Sequence, residues 1–359
     1  MKRMVVVFVS LLVLASTLGT STVVFAAPPN ACEPWPECKG GGEEPPPPPA
    51  GSIYFGYNDG SGYSLWTMKA DGSEKTELPV DPCEDFGTKI GKPSRLMHGD
   101  HYWIVRFCGV EGLYPDKDGR RELFAVRDDN VMSLQLTNDP NIHPEWYRRN
   151  LAWGPNDVSI SWGAKRWVCD LDCRITEFGI YEATVEYDAT GNIVGLGDPT
   201  LIWDTGYVFF DGRYAADMQH LDWSPDGSRM VFARMSDGLT LHVVDFSTSS
   251  ESYLIDGYGP QWSPDGNKIA FIGDDDLRTI NPDGTGEQIL IEDKDSKRWD
   301  MRAEYPNWSP DSAYLAYMFQ KLSTRQGTQR DIYRVGVDGS DNTCLTRDID
   351  NPWLVFGWR

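Results

Sequence analysis

The sequence predicts an all-β fold, a six-bladed β-propeller with four-stranded antiparallel blades, and three observations support this prediction. A turn motif recurs along the chain. Aromatic residues make up 12% of the 359 residues and include 14 Trp, and such residues favour strands. The last segment of the chain has the pattern of a first blade strand, which the N-terminal region lacks. Recurrence of one unit is the signature of a repeat architecture.

The recurring motif is a strand that ends in Trp, followed by Ser-Pro-Asp-Gly and a second apolar strand. It is clearest at residues 223–227 and 262–266, and it recurs in altered form after Trp153 and Trp308. Proline presets φ at the second position of a type I turn, and glycine accepts the conformation at its end. Each copy therefore predicts a β-hairpin, and the spacing of the copies matches blades of about 40 to 50 residues.

The first 26 residues have the pattern of a secretory signal peptide, with Lys2 and Arg3, an apolar run over residues 4–14, and small residues up to Ala26. The apolar core is shorter than the ~20 residues that a membrane-spanning helix needs, which disfavours the alternative of a membrane anchor. We expect a secreted or periplasmic protein with no membrane insertion after signal cleavage.

Residues 27–51 are a Pro/Gly-rich linker with five consecutive prolines at positions 45–49. We expect this linker to be extended, because proline favours the polyproline II conformation. The propeller domain then covers residues 52–359. Within it the sequence delimits six repeats in chain order: residues 52–78, 93–139, 143–196, 219–255, 258–291 and 305–348. Residues 351–359 supply the missing strand of the first repeat, so this strand should close the ring and remove its open edges.

Export permits disulfide bonds. Local pairing leaves Cys344 free, although the connectivity is not fixed by sequence. The suggested pairs are Cys32 with Cys38, Cys83 with Cys108, and Cys169 with Cys173. The alternative of a zinc site at Cys169 and Cys173 lacks further ligands at a suitable spacing.

The repeated motif resembles that of TolB-like propellers, in which P-x-W-S-P-D-G precedes an apolar strand, then I-Y and then D-G. Residues 260–271 fit this pattern closely, and residues 332–333 with 338–339 match its later half. The resemblance covers residues 52–359 and implies a periplasmic propeller that binds partner proteins. The chain departs from TolB in having the linker where TolB has an α/β domain. It also lacks the G-x-S-x-G motif of propeller-capped serine peptidases.

The five histidines are the natural candidates for catalysis or metal binding. His98, Asp100 and His101 lie together in His-Gly-Asp-His, which could form a metal site. The alternative, which we favour, is a solvent-facing turn in the place of the motif. His220 precedes the first strand of the fourth repeat by one residue and could face the channel mouth. The alternative, which we favour, is a structural histidine whose hydrogen bonds are satisfied within the fold.

The acidic run Asp274, Asp275 and Asp276 offers the oxygen ligands that calcium prefers, so Ca²⁺ is the one candidate cofactor. A solvated turn is the default interpretation. The aspartates of the turn motif are expected to bond to their own turns, and its tryptophans to pack between each blade and the next.

Two insertions in the third repeat, residues 162–179 and 198–217, are expected to form a binding surface, since insertions in repeat proteins commonly do so. Trp167 and Trp203 lie in or beside them, and they are our candidates for ligand contact together with His98, His101 and His220.

The net charge of −21 argues against nucleic-acid partners. No nucleophile or metal constellation occurs at a recognisable spacing. The sequence therefore predicts a noncatalytic, monomeric module that binds a protein or peptide and needs no cofactor. The alternative is a polysaccharide-binding propeller, or a lyase-type polysaccharide-degrading one, with a metal in its channel.

Overall fold

The structure is a computed structural model, and its described residues belong to the propeller domain and its immediate entry. They are residues 50–58, 63–79, 90–94, 101–110, 120–129, 132–138, 142–144, 151–169, 173–210, 213–236, 238–292, 306–323, 327–349 and 352–359. The signal peptide, most of the linker, Cys32, Cys38, Cys83 and His98 lie outside them. The side chains of Cys108, Cys169, Cys173 and Trp167 also lie outside the description.

The described residues form six blades of antiparallel strands. Blade 1 contains β1 (Ser52–Asn58), β2 (Tyr63–Lys69) and β3 (Thr76–Leu78), and blade 2 contains β4 (Ile90–Pro93), β5 (Trp103–Val110), β6 (Arg120–Arg127) and β7 (Ser133–Gln135). Blade 3 contains β8 (Ile142–Pro144), β9 (Leu151–Trp153), β10 (Ser159–Cys169), β11 (Cys173–Tyr187), β12 (Ile193–Leu196) and β13 (Thr200–Asp204), with a 3₁₀ turn at Pro155–Asp157.

The chain then forms a two-stranded hairpin of β14 (Tyr207–Phe210) and β15 (Arg213–Ala216). Blade 4 contains β16 (Gln219–Trp223), β17 (Arg229–Arg234), β18 (Thr240–Asp245) and β19 (Ser250–Asp256). Blade 5 contains β20 (Tyr258–Trp262), β21 (Ile269–Gly273), β22 (Asp276–Ile280) and β23 (Gln288–Ile291). Blade 6 contains β24 (Asn307–Trp308), β25 (Tyr314–Ser323), β26 (Gly327–Gly336) and β27 (Thr343–Cys344), and β28 (Pro352–Trp358) follows.

The last strand completes the first blade, as predicted. β28 pairs antiparallel with β1, with Ile53 opposite Trp358 and Phe55 opposite Val355. The backbone N–H of Arg359 also donates to the carbonyl of Ser52 at 2.9 Å. The ring is thereby closed by hydrogen bonds between segments from the two ends of the domain.

Six hydrophobic clusters occupy the six interfaces between neighbouring blades. Trp223 packs with blade 3 residues, Trp262 with blade 4 residues and Trp308 with blade 5 residues. The motif tryptophans therefore fill the interface with the preceding blade, and not with the following blade as predicted. Trp358 takes the same place between blades 6 and 1, which identifies it as the tryptophan of the divided repeat.

Blade 3 differs most from the prediction, because its inner and outer strands are both split. β8 and β9 pair with different parts of β10, and β12 and β13 pair with different parts of β11. The described residues of the range 162–179 thus belong to β10 and β11 and extend the central hairpin rather than forming a separate loop. The second predicted insertion contains a true blade strand, β13, and only its remainder forms the β14–β15 hairpin.

No helix among the described residues reaches the length and apolar character needed to cross a lipid bilayer.

Candidate functional site

The inner strands of the blades surround a channel. Each one contacts the inner strand of the next blade, in the order β28, β4, β9, β16, β20, β24 and back to β28. The Trp-Ser-Pro-Asp-Gly turns follow these inner strands directly. The motif therefore lies at one mouth of the channel.

The aspartate of each motif bonds to its own turn, as the sequence analysis expected. Ser224 Oγ donates to Asp226 Oδ1 at 2.6 Å, and the backbone N–H of Ser228 donates to the same oxygen at 3.1 Å. The hydrogen bond from Ser224 lowers the pKa of Asp226 below its ordinary value. Asp265 and Asp311 accept the equivalent bonds from Ser263 and Ser309. These carboxylates hold turns together.

Successive turns also contact each other around the mouth. Gly227 lies against the ring of Pro155 in blade 3, and Gly266 lies near Pro225 in blade 4. The backbone N–H of Asp265 donates to Ser312 Oγ of blade 6 at 3.1 Å. The turns thus build a continuous rim from one blade to the next.

This rim encloses a cavity of about 340 Å³. Its wall is mostly aromatic and proline side chains, together with a few polar groups. The described lining residues are Tyr102, Asn156, Asp222, Pro225, Trp262, Ser263, Pro264, Asn307, Trp308, Pro310, Trp358 and Arg359. The tryptophans contribute little surface, since Trp262, Trp308 and Trp358 are 4%, 5% and 1% exposed. The cavity is concave and presents polar and apolar surface in similar amounts, and ligand pockets commonly combine an apolar wall with fixed polar groups.

The polar groups of the cavity are held by bonds to the backbone. Asp222 is 3% exposed, and its Oδ2 accepts the backbone N–H of Trp262 at 2.7 Å. Arg359 Nε donates to the carbonyl of Ser94 at 3.0 Å. Asn307 Nδ2 donates to the carbonyl of Val355 at 3.0 Å. These bonds link neighbouring inner strands, and they also fix the positions of the polar side chains.

The sequence analysis did not single out Asp222 or Arg359. A signal was present for Asp222, because the residue before the motif tryptophan is polar in three blades although its strand is buried. Those residues are Asp222, Gln261 and Asn307. For Arg359 the sequence carried no signal, since its place at the cavity depends on how the ring closes.

The described lining residues carry few titratable side chains. They include no His or Cys, and Asp222 is their single carboxylate side chain. The one serine, Ser263, already donates its hydroxyl to Asp265.

His101, one of the predicted site residues, lies in blade 2 between two carboxylates. Its Nδ1 is 2.8 Å from Asp128 Oδ1, and its Nε2 is 3.4 Å from Asp129 Oδ2. These three residues form a group whose possible ligand atoms all lie within 4.8 Å. Arg127, however, already donates two hydrogen bonds of 2.8 Å to Asp129. The carboxylates of Asp128 and Asp129 thus already have the His101 imidazole and the Arg127 guanidinium as partners.

His220 lies within the inner strand β16, whereas the sequence placed it one residue before that strand; it is only 2% exposed and has a φ of 57°. Among the described residues, no group of three possible metal ligands contains it together with His101. The structure therefore does not bring these two histidines into one site.

The predicted calcium ligands lie at the turn between β21 and β22, and they contact an arginine of β22. Arg278 Nη2 lies 2.9 Å from Asp276 Oδ2 and 3.1 Å from Asp274 Oδ2, and its Nη1 donates to Glu287 at 2.7 Å. The guanidinium thus supplies positive charge at the place where calcium was the alternative to a solvated turn. Asp276 is buried, and Asp274 and Asp275 have positive φ values.

Trp203 is the other predicted ligand-contact residue whose side chain the structure describes. It contacts the neighbouring blade. Its ring packs edge-on against Phe246, and its Nε1 donates to Glu251 Oε2 at 3.1 Å. Both partners belong to blade 4. Trp203 is therefore half-buried at the junction of blades 3 and 4. Trp167 lies in β10.

The chain is similar in structure to two TolB proteins. For TolB from Acinetobacter baumannii the TM-score is 0.56 at 15% sequence identity, covering 86% of this chain and 66% of that one. For TolB from Agrobacterium tumefaciens the TM-score is 0.52 at 13% identity, covering 86% and 93%.

A chain of the nidogen/laminin complex gives a TM-score of 0.51 at 10% identity, covering 86% of this chain and 97% of that one. No protein-family model and no curated protein matches the sequence. This chain spans 66% of the length of the Acinetobacter protein. At these identities the similarity establishes the fold, and the predicted likeness to TolB-like propellers is confirmed at that level.

Proposed function

We propose that the protein is an exported, noncatalytic propeller that binds a protein or peptide partner at the mouth of its channel. The observation that carries this proposal is the aromatic cavity at the rim of the motif turns, with two charged groups and several hydrogen-bonding groups held in fixed positions. Export is supported by the signal-peptide pattern of residues 1–26.

The structural comparisons are compatible with a binding role. The nidogen/laminin match is a chain from a complex between two proteins, so a propeller with this architecture occurs in a protein–protein assembly. A partner segment that enters the cavity would use a rigid site, and a rigid site loses little conformational entropy on binding.

The polysaccharide alternative receives less support from the described residues. Sugar rings bind on the exposed faces of aromatic side chains, whereas the cavity tryptophans are at most 5% exposed. The wall therefore presents the edges of aromatic rings, hydrogen-bonding groups and charges, and not an aromatic face on which a sugar ring could stack.

The proposal can be tested by selecting a phage-displayed library of random twelve-residue peptides on the immobilised protein. The test variant is Pro264→Trp, which places a bulky ring at the rim of the cavity. The control is Pro282→Trp, because Pro282 occupies the same position in an Asn-Pro-Asp-Gly turn away from the cavity. Both turns close with the same hydrogen bond, from Gly266 N to Ser263 O and from Gly284 N to Asn281 O.

Selected peptides should bind the wild type and Pro282→Trp alike and should bind Pro264→Trp at least ~10-fold more weakly, as expected when contacts in a central pocket are lost. Enrichment no greater than on an unrelated acidic protein would contradict the proposed function. Equal binding to the two variants would show that the partner does not use the cavity.

A further inference from the structure

Each blade has a second turn on the face of the ring that carries the Trp-Ser-Pro-Asp-Gly turns. Neighbouring strands of a blade are antiparallel, so the turn after the first strand and the turn after the third strand lie at the same face. We call this face the mouth face and the turns after the third strands the outer turns. Every outer turn contains aspartate: Asp71, Asp128 with Asp129, Asp188, Asp245, Asp283 and Asp338.

Three of these aspartates are held by hydroxyl groups of their own turns. The bonds run from Thr190 to Asp188 at 2.7 Å, from Ser247 to Asp245 at 2.5 Å and from Ser340 to Asp338 at 2.5 Å. These hydrogen bonds lower the pKa of all three carboxyl groups below the ordinary value, so the three are ionised at neutral pH. Because the donors are neutral, they fix each carboxylate without cancelling its charge.

The outer turns rest on the preceding blades. The carbonyl of Gly191, in the outer turn of blade 3, accepts a hydrogen bond from Trp103 Nε1 of blade 2 at 3.3 Å. A methyl group on Gly339, in the outer turn of blade 6, would lie 3.4 Å from the carbonyl oxygen of Leu290 in blade 5. The turns are therefore fixed relative to their neighbours, and charges that are fixed in advance lose little conformational entropy on binding.

The cavity at the centre of the mouth face adds an observation that does not depend on the aspartates. Gln261 of β20 occupies the place that Asp222 has in blade 4 and Asn307 has in blade 6, and both of those residues line the cavity. Gln261 is 4% exposed, and its Oε1 accepts no hydrogen bond from the described residues. A buried acceptor without a donor is costly, so a segment that brings an N–H donor to it gains affinity.

We infer that the mouth face binds a basic segment of a partner protein, one rich in Lys or Arg, whose cationic groups lie over the outer turns while an N–H donor of the segment enters the cavity. Exposed charges add little affinity individually. A surface of one sign, however, accelerates the approach of a partner of opposite sign and repels a partner of the same sign. This inference rests on the proposed function in taking the channel mouth as the binding site, and it adds the chemistry of the partner.

The test uses the whole protein and the twelve-residue peptides selected on it, after counter-selection on an unrelated acidic protein. The selected peptides should contain more Lys and Arg than the unselected library. The association rate of one synthesised peptide is then measured by surface plasmon resonance. It should fall about 10-fold or more as NaCl is raised from about 0.1 to about 1 M, because the Debye length falls from about 10 to about 3 Å.

Two triple variants locate the charges that act. The test variant combines Asp188→Asn, Asp245→Asn and Asp338→Asn, because an asparagine oxygen can still accept the turn hydrogen bonds. It should lower the association rate about 10-fold at low salt and leave it unchanged at high salt. The control combines Asp204→Asn, Asp256→Asn and Asp274→Asn, three exposed aspartates at the ends of β13 and β19 and in the turn after β21, on the opposite face. The control should bind like the wild type.

A single variant tests the buried acceptor. Gln261→Met removes the side-chain oxygen and should raise the dissociation rate of the peptide without changing its association rate. An unchanged dissociation rate would show that no donor of the segment reaches this group.

Selected peptides without an excess of Lys and Arg would overturn the inference, as would equal effects of the two triple variants. The salt dependence of the wild type provides a measurement that needs no variant to fold. If neutral or acidic peptides are selected and lose binding on Pro264→Trp, the proposed function stands and the basic-partner inference is wrong. If no peptide is enriched, both are wrong.

Discussion

At the scale of single residues, the glycine of the turn motif serves two purposes. Gly227 and Gly266 have φ values of 72° and 78°, a region that glycine enters without steric cost. The two glycines differ in their surroundings. A methyl group on Gly227 would lie 2.5 Å from Pro155 Cγ, whereas the nearest atom to a methyl group on Gly266 would be Pro225 Cδ at 3.7 Å.

This difference gives a matched pair of substitutions. Gly266→Ala should lower the free energy of unfolding by about 1–2 kcal/mol, the cost of the left-handed backbone for an L-residue. Gly227→Ala should cost about 1–3 kcal/mol more, because the rigid ring of Pro155 must also move. Urea denaturation of both variants measures the two values. Equal losses would show that the contact between turns does not contribute.

The sequence predicted the roles of residues that act within one turn, and it failed for residues that act between blades. Asp226 bonds two residues along the chain, so local spacing was sufficient to predict its role. Asp222 and Arg359 meet at one cavity only because the ring brings blades 4 and 1 to the same axis. Trp203 was predicted to face a ligand since its strand looked like an insertion, and its contacts with Phe246 and Glu251 of the next blade carried no signal in the sequence.

At the scale of elements, one arginine ties the segment after β13 to blade 4. Arg234 donates from Nε and Nη2 to both oxygens of Glu251, at 2.6 and 2.7 Å, and from Nη1 to Asp217 Oδ2 at 3.1 Å and to the carbonyl of Thr205 at 2.9 Å. Burial alone would raise the pKa of Glu251. The hydrogen bonds from Arg234 and Trp203 outweigh burial, and the pKa is lowered.

Replacing Glu251 by Gln should therefore destabilise the fold by about 2–4 kcal/mol near pH 7, because the partly buried Arg234 loses its main anionic partner. The lowered pKa sets the pH dependence. The contribution of ionised Glu251 to the free energy of unfolding is fully present above the pKa of Glu251 in the unfolded chain, about 4.3. This contribution is lost as the pH falls through the lower pKa of Glu251 in the folded protein. The difference between wild type and variant should thus shrink below about pH 4.

The matched control is Glu287→Gln. Glu287 also accepts a 2.7 Å bond from an arginine, Arg278, but its side chain is 38% exposed, so its loss should cost no more than about 1 kcal/mol. Chemical denaturation at several pH values provides the comparison. A Glu251→Gln variant as stable as Glu287→Gln would show that the junction of blades 3 and 4 does not depend on this ion pair.

The strand boundaries were predictable in blades whose inner and outer edges each consist of a single continuous strand. β1 and β28 were assigned correctly, including their pairing, since the first repeat lacked a strand and the last segment supplied one. Blade 3 was not predictable. Its inner and outer edges are each made of two short strands, β8 with β9 and β12 with β13, and an interrupted strand carries no continuous pattern of alternation.

At the scale of the whole molecule, the ring depends on its closing strand. β28 contributes the inner strand of blade 1, and its Trp358 is buried in the interface with blade 6. Without β28 the edge of β1 would be unpaired, and unpaired edges promote association between chains.

A chain ending at residue 351 should therefore lose its cooperative thermal transition and elute as large aggregates in size-exclusion chromatography. The control is a chain in which residues 207–216, the β14–β15 hairpin, are replaced by Gly-Gly. This change shortens the chain by the same number of residues but removes no blade strand, so that chain should remain a folded species of native size. A truncated chain with an unchanged melting temperature by circular dichroism would refute the dependence on closure.

The pairing of β28 with β1 also has a consequence for the order in which the molecule is assembled. Ile53 and Trp358 stand at opposite ends of the domain sequence, so their contact closes the longest loop in the fold, and such contacts form late because chain entropy opposes them. The hairpins of blades 4 and 5 are local and can form first. Until β28 pairs with β1, the first blade has an unpaired edge. The chain should therefore be most prone to aggregation between synthesis and ring closure.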